Sequence, residues 1–138
     1  MNRIVVDASV ALQWFLEDEL GREYSLKSLH YLNRGRLLVP TLWFYEVGNG
    51  LLLAHRRQRI RLDHVSTFMA RLLGMPIDIH PAVPAKIAEL PMLAHQHGLT
   101  SYDASYLAVA IEMKCELATQ DRKLQSAAAA TGVTVFTG

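Results

Sequence analysis

Four acidic residues occupy positions where a carboxylate could serve chemistry. Asp7 ends the apolar run "IVV", Asp121 closely follows "ELAT", and Asp103 opens "DASYLAVAI", while Glu46 lies within the aromatic segment "LWFYEV". Carboxylates that are packed together repel and raise each other's pKa, so a site that gathers four of them requires a cation. Oxygen ligands without histidine favour Mg²⁺ or Mn²⁺ over zinc.

Each acid also has a purely structural interpretation. Asp7 and Asp121 could be N-caps of the helices that follow them, and Thr100 with Asp103 fits a capping box. Glu46 does not stand at a helix start. It shares a helix face with apolar residues, where a carboxylate is costly unless it is paired. An ion pair with an arginine would satisfy Glu46 as well as a metal ion would.

The elements that must position these acids alternate between short apolar strands and longer helices. Strands are predicted at 3–6, 37–40, 77–80, 116–119 and 133–136. Helices are predicted at 8–16, 22–33, 41–56, 62–73, 82–97, 102–113 and 122–130. This alternation indicates an α/β fold with a mainly parallel sheet and helices on both faces. Ligands bind beyond the carboxyl ends of strands in such sheets, and Asp7 and Asp121 follow two of those ends.

Helix-breaking residues interrupt two of the predicted helices. Pro91 should kink or split the helix at 82–97. Gly48 and Gly50 flank Asn49 inside another helix, where each glycine costs about 1 kcal/mol relative to alanine. Either close packing or the close approach of a ligand would compensate for that cost.

Composition places the chain among ordinary globular domains. It has 138 residues, 51% of them hydrophobic and 20% charged, and a net charge of +1, so one domain is expected and bulk charge selects no partner. The single cysteine, Cys115, excludes an internal disulfide and a cysteine zinc cluster, and is expected in the core. No apolar run approaches the length of a membrane span, and no signal peptide is recognisable, so a soluble cytoplasmic protein is expected.

Four segments, taken in order, carry a family resemblance: "VVDASVAL", "VPTLWFYEVGNGL", "HGLTSYDASYLAVA" and "LATQDRKL". Together they resemble the PIN-domain family, and more specifically the toxin ribonucleases of VapBC toxin–antitoxin pairs, over residues 3–136. The resemblance implies one PIN domain over 1–138, with a three-layer α/β/α fold around a parallel sheet of four or five strands. It also implies an Mg²⁺- or Mn²⁺-dependent endoribonuclease for structured RNA such as tRNA or rRNA loops, a VapB-like antitoxin and a homodimer.

The resemblance assigns roles by position. The metal-binding and catalytic acids would be Asp7, Glu46, Asp103 and Asp121. Polar neighbours of the acids would be Ser9, Thr119 and Asn49, although the two hydroxyls could equally form local backbone hydrogen bonds. In such a site the metal lowers the pKa of a bound water, which attacks the phosphate.

Basic and aromatic residues suggest where RNA and the antitoxin would bind. The segment "HRRQRIRLDH" supplies a candidate phosphate-binding patch: Arg56, Arg57, Arg59 and Arg61. A solvated helix end is the alternative, and Arg122 with Lys123 is a second, weaker patch. The antitoxin groove could include Trp14, Phe15, Trp43 and Phe44, although aromatics at this spacing are more often core. His95 and His97 are interpreted as a solvated helix end.

Two other functions fit a small α/β fold with acids at strand ends. A catalytically silent module of the same fold could bind RNA or a partner, but it would not need all four acids. A phosphoacceptor domain of the receiver type would want an aspartate directly after its third strand, where this chain has "IDIHPAV".

Overall fold

A four-stranded, entirely parallel sheet forms the centre of the protein in the computed structural model, which describes residues 2–18 and 20–138. Its strands are β1 (Arg3–Val6), β2 (Arg36–Pro40), β3 (Ile77–His80) and β4 (Glu116–Ala118). Their order across the sheet is β3-β2-β1-β4. Ile4, Val5 and Val6 are fully buried along consecutive positions. Both faces of β1 are therefore covered, as expected for a parallel strand between helical layers.

The helices follow the predicted pattern closely. They are α1 (Ala8–Phe15), α2 (Arg22–His30), α3 (Leu42–Arg56), α4 (Leu62–Leu73), α5 (Pro84–Ile87), α6 (Leu90–His97), α7 (Ser101–Met113) and α8 (Arg122–Ala130). The predicted helix at 22–33 ends earlier, and its last turn is the 3₁₀ segment Tyr31–Asn33. The helix predicted at 82–97 is split into α5 and α6, with Pro91 in the first turn of α6. The effect expected of Pro91 is confirmed.

The segment 133–136 is not a strand, which corrects the prediction. A single bridge joins Val135 to Leu117 of β4. Backbone hydrogen bonds run from the Leu117 N–H to the Thr134 carbonyl and from the Phe136 N–H to the Leu117 carbonyl. Phe136 is buried in the core. The segment thus lies along β4 through one bridge, too short a pairing to form a strand.

Close helix packing explains Gly50. A Cβ atom at this position would overlap Cδ1 of Leu12, which belongs to α1. The absence of a side chain lets α3 approach α1, so packing compensates for the helical cost of this glycine. Within the described ranges, no helix has both the length and the apolar character that a membrane crossing requires.

Candidate metal and active site

Asp7 is held at the carboxyl edge of the sheet, where β1 gives way to α1. Its Oδ1 accepts hydrogen bonds of 2.9 Å from the Val10 N–H and from the Ser9 hydroxyl, so Asp7 is the N-cap that its position predicts. Capping uses only one carboxylate oxygen and does not require burial. Yet Asp7 is only 6% exposed, and its Oδ2 accepts a 2.5 Å hydrogen bond from the Thr119 hydroxyl.

Strand register brings Asp7 and Thr119 together across 112 positions of sequence. Val6 pairs with Ala118, so the next residue of each strand lies at the same edge of the sheet. Thr119 is fully buried, and its Oγ1 also accepts a 3.1 Å hydrogen bond from the Asp121 N–H. One hydroxyl therefore links Asp7 to the backbone of Asp121.

The electrostatic surroundings of Asp7 disfavour its charge. Burial raises the pKa of Asp7 above its usual value of 3.8, and the nearby charge of Asp103 raises it further. Hydrogen bonds from Thr119, Val10 and Ser9 act in the opposite direction. The resulting shift is upward, so the folded protein bears a cost to keep this carboxylate ionised.

The caps predicted at Thr100 and Asp121 are confirmed, whereas among the described residues the Asp103 side chain accepts no hydrogen bond that would complete a capping box. The Thr100 hydroxyl accepts a 3.0 Å hydrogen bond from the Asp103 N–H at the start of α7. Asp121 caps α8, where its Oδ1 accepts from the N–H groups of Lys123 and Leu124 at 2.8 and 3.1 Å. Asp103 is half-buried whereas Asp121 is exposed, so Asp103 is the better shielded of the two.

Glu46 is paired with a tyrosine rather than an arginine. The Tyr106 hydroxyl donates a 2.5 Å hydrogen bond to Oε1 of Glu46, which lies 60 positions away in sequence. Within the described residues Glu46 forms no ion pair, so the arginine alternative is wrong. Burial raises the pKa of Tyr106 well above its usual range, and the charges of Glu46, Asp7 and Asp103 add to this effect. The phenol therefore keeps its proton and acts as a hydrogen-bond donor to Glu46, with the charges of Asp7 and Asp103 nearby.

Tyr106 was not identified from the sequence, although a signal was present. It follows Asp103 by three positions on α7, so both side chains lie on one face of that helix. Tyr24 also supports the site unexpectedly. Its hydroxyl accepts from the Thr119 N–H at 3.2 Å and donates to the Phe136 carbonyl at 2.6 Å. Burial raises the pKa of Tyr24 to about 12, and no spacing in the sequence indicates this contact.

The donor chemistry at this edge suits a hard divalent cation. Asp7, Glu46 and Asp103 offer carboxylate oxygens, and none of them forms an ion pair within the part of the chain that the structure describes. Ser9 and Thr119 contact Asp7 as the resemblance implies, whereas Asn49 lies exposed on α3 three residues beyond Glu46.

The side chains are not arranged around a metal ion in this structure. Among residues 2–18 and 20–138, no three His, Cys, Asp or Glu side chains are placed to hold one metal ion. Ligation of an ion therefore requires side-chain rearrangement.

The arginines of the segment 55–64 are not brought to the acids. Arg59 forms hydrogen bonds of 3.3 and 2.6 Å to Asp18, and Arg61 forms two of 3.0 Å to Asp63. Arg56 and Arg57 are exposed at the far end of α3. At a rise of about 1.5 Å per residue, these arginines lie about 15 Å from Glu46 along the helix axis.

Burial excludes part of the proposed antitoxin groove. Trp14 is 6% exposed and Trp43 is fully buried, so neither can line a surface groove. Phe15 and Phe44 are half-buried and pack against the core. The core alternative is thus the correct one for the two tryptophans, because their large rings fill the space between α1 and α3.

The parallel sheet and the acids at its carboxyl edge define a three-layer α/β/α domain that collects carboxylates where its strands end. The family model for the PIN domain matches residues 4–130, and the chain belongs to the PIN domain family. The receiver-type phosphoacceptor alternative is therefore wrong.

Relatives place this chain near the VapC ribonucleases. Ribonuclease VapC3 of Pyrobaculum aerophilum is 30% identical over 129 residues, which cover 88% of this chain and 92% of the relative. Among solved structures, Mycobacterium tuberculosis VapC20, described as a sarcin–ricin loop cleaving toxin, is similar at a TM-score of 0.73 and 15% identity, covering 98% and 99% of the two chains. A structure of VapBC2 from Rickettsia felis bound to a promoter DNA fragment is similar at a TM-score of 0.68 and 11% identity, covering 97% of both chains. The two structural likenesses bear on the fold alone.

Proposed function

We propose that this protein is the toxin of a type II toxin–antitoxin pair and that it acts as a metal-dependent endoribonuclease. The observation that carries the proposal is the environment of the Asp7 carboxylate. Its carboxylate is buried and receives only neutral donors, and Asp103 and Glu46 lie around the same tyrosine. A cluster of this kind costs folding free energy, which a bound cation would recover.

Asp7, Glu46 and Asp103 would hold Mg²⁺ or Mn²⁺, with Asp121 at the edge of the site. When bound, the ion would supply a water of lowered pKa and neutralise charge on the attacked phosphate. The chain's own residues have distinct tasks. Ser9 and Thr119 orient the Asp7 carboxylate, and Tyr106 orients Glu46. Without the ion, these acids repel a polyanion, so weak RNA binding is expected in EDTA.

Cleavage of total cellular RNA by the purified, antitoxin-free protein tests this proposal. Reactions would contain Mg²⁺, Mn²⁺ or EDTA, and would compare the wild type with Asp103→Asn and Glu46→Gln. Glu116→Gln is the matched control, because Glu116 is an exposed acid at the amino end of β4. We expect cuts at discrete sites that need metal and are lost in the first two variants only. Titration with Mn²⁺ by calorimetry should show weaker binding in those same variants.

The nuclease proposal would be refuted if the folded wild-type protein cut no RNA with either metal. The catalytically silent module would then be the better explanation of the fold. Cutting that persists in both Asp103→Asn and Glu46→Gln would instead remove these two acids from the mechanism.

The substrate and the partners are proposals of the same kind. We infer structured RNA, such as a loop of tRNA or rRNA, as the substrate, and sequencing of the cleaved ends would identify it. A VapB-like antitoxin should inhibit cleavage when it is co-expressed. Several exposed apolar side chains near α5, among them Ile79, Val83 and Ile87, are of the kind that self-association covers. The proposed homodimer would be measured by light scattering.

A further inference from the structure

A basic pocket lies between the end of α6 and one face of α8. It has a volume of about 380 Å³. Its lining residues are His97, Arg122, Lys123, Ser126, Ala127 and Ala130. Two elements therefore contribute polar side chains to one concavity, which distinguishes it from a run of charges along a single helix.

The positive charge of this pocket is available to a ligand. Arg122 and Lys123 are exposed, and across residues 2–18 and 20–138 neither forms an ion pair. The neighbouring carboxylate of Asp121 directs its Oδ1 to N–H groups of the α8 backbone rather than to these cations. His97 and Ser126 add side chains that can donate hydrogen bonds.

Chain topology places the pocket at the same edge of the sheet as the acids. α8 begins directly after Asp121, whose N–H is linked through the Thr119 hydroxyl to Asp7. α6 ends at His97, and only Gly98 to Thr100 separate it from α7, whose first turn carries Asp103. A nucleic-acid strand crossing the acids thus meets Arg122 and Lys123 within one helical turn of Asp121.

The alternative basic patch is less well placed for the same strand. Arg56 and Arg57 end α3, and the helix carries them about 15 Å beyond Glu46. Arg59 and Arg61 each form hydrogen bonds to an aspartate, so part of their capacity to bind phosphate is already used. Of the two basic surfaces, the pocket is the one whose helix begins directly after one of the acids, Asp121.

We propose that the pocket formed by His97, Arg122, Lys123 and Ser126 binds a backbone phosphate of RNA next to the bond to be cut. The inference deepens the proposed nuclease function and rests on it. The two cations supply sequence-independent attraction, and the pocket fixes the register of the strand relative to the acids.

The test measures RNA binding without cleavage. In an Asp103→Asn background with Mg²⁺, a fluorescein-labelled RNA hairpin would be titrated by anisotropy at several KCl concentrations. Arg122→Gln/Lys123→Gln is the test variant. Arg56→Gln/Arg57→Gln is its matched control, since it removes the same charge from exposed positions.

Loss of two phosphate contacts should make the negative slope of log K against log salt shallower by about 1.4 to 1.8. The same loss should weaken RNA binding about 25- to 60-fold at 0.1 M salt. We expect this change in the Arg122/Lys123 variant and a much smaller one in the control, with unchanged thermal unfolding in both. An unchanged slope in the Arg122/Lys123 variant, or the absence of RNA binding in the background protein, would overturn the proposal.

The binding assay separates this proposal from the nuclease itself. If the protein cleaves RNA with metal and the salt dependence of binding is the same in the Arg122/Lys123 variant, the nuclease proposal stands and the pocket proposal is rejected. If the salt dependence changes in that variant but the protein cuts no RNA, the RNA-binding pocket stands and the nuclease proposal is rejected.

Discussion

Replacing Thr119 by valine should destabilise the protein more than the size of the change suggests. Valine preserves the shape of this fully buried side chain but removes the hydroxyl. The 2.5 Å hydrogen bond to the Asp7 carboxylate and the acceptor of the Asp121 N–H are both lost. A hydrogen bond to a charged group contributes about 1.5–3 kcal/mol, and the Asp121 N–H adds about 1 kcal/mol at a partly exposed position. The expected loss of unfolding free energy is therefore about 2.5–4 kcal/mol.

Urea unfolding at about pH 7 in EDTA would measure this loss, with Thr119→Ser as the matched control. Serine retains the hydroxyl and removes one buried methyl group, which costs about 1 kcal/mol. The penalty for valine should also shrink in acid, because protonation of Asp7 removes the charge that the hydroxyl stabilises. Equal losses in the two variants, or a valine penalty that does not change with pH, would refute the role assigned to the hydroxyl.

Two further predictions concern the acids themselves. Asp7→Asn should stabilise the folded protein near neutral pH, because burial raises the pKa of Asp7 above its usual 3.8. For a raised pKa, the contribution of the ionisable group is fully present below its unfolded pKa and is lost as pH rises through the folded pKa. The advantage of asparagine should thus vanish in acid, and urea midpoints at several pH values would check this; an advantage that persists there would contradict it. Tyr106→Phe should lower the free energy of unfolding by about 1.5–3 kcal/mol, since it removes the hydroxyl that donates to the Glu46 carboxylate. A double-mutant cycle with Glu46→Ala, which removes the acceptor, should give a coupling free energy of similar size, and additive effects would disprove the interaction.

Local patterns in the sequence were sufficient for most of the secondary structure. Consecutive apolar residues predicted β1 and β2, because a strand buried on both faces needs consecutive apolar side chains. Asp7, Thr100 and Asp121 indicated helix starts, since a side-chain oxygen satisfies backbone N–H groups that the first turn leaves free. The split at Pro91 followed from its missing N–H group.

The spacing of the aromatic and basic residues in the sequence does not show which of them lie on the surface. Trp14 and Trp43 have the spacing of either a groove or a core, and only the packing of α1 against α3 buries them. The arginines at 56–61 form one charge run in sequence. Arg59 binds Asp18, which lies 41 positions away, whereas Arg61 binds Asp63, which is only two positions away.

The sequence by itself determined the fold class, the positions of the four acids and the caps, because these depend on interactions within about one helical turn or along one strand. Tertiary structure decided how the acids are held. The bonds from Thr119 to Asp7 and from Tyr106 to Glu46 join residues 112 and 60 positions apart. Strand register and helix packing set such distances, and neither leaves a signal at a fixed spacing in the chain. The same long-range packing assembles the basic pocket from the end of α6 and the start of α8.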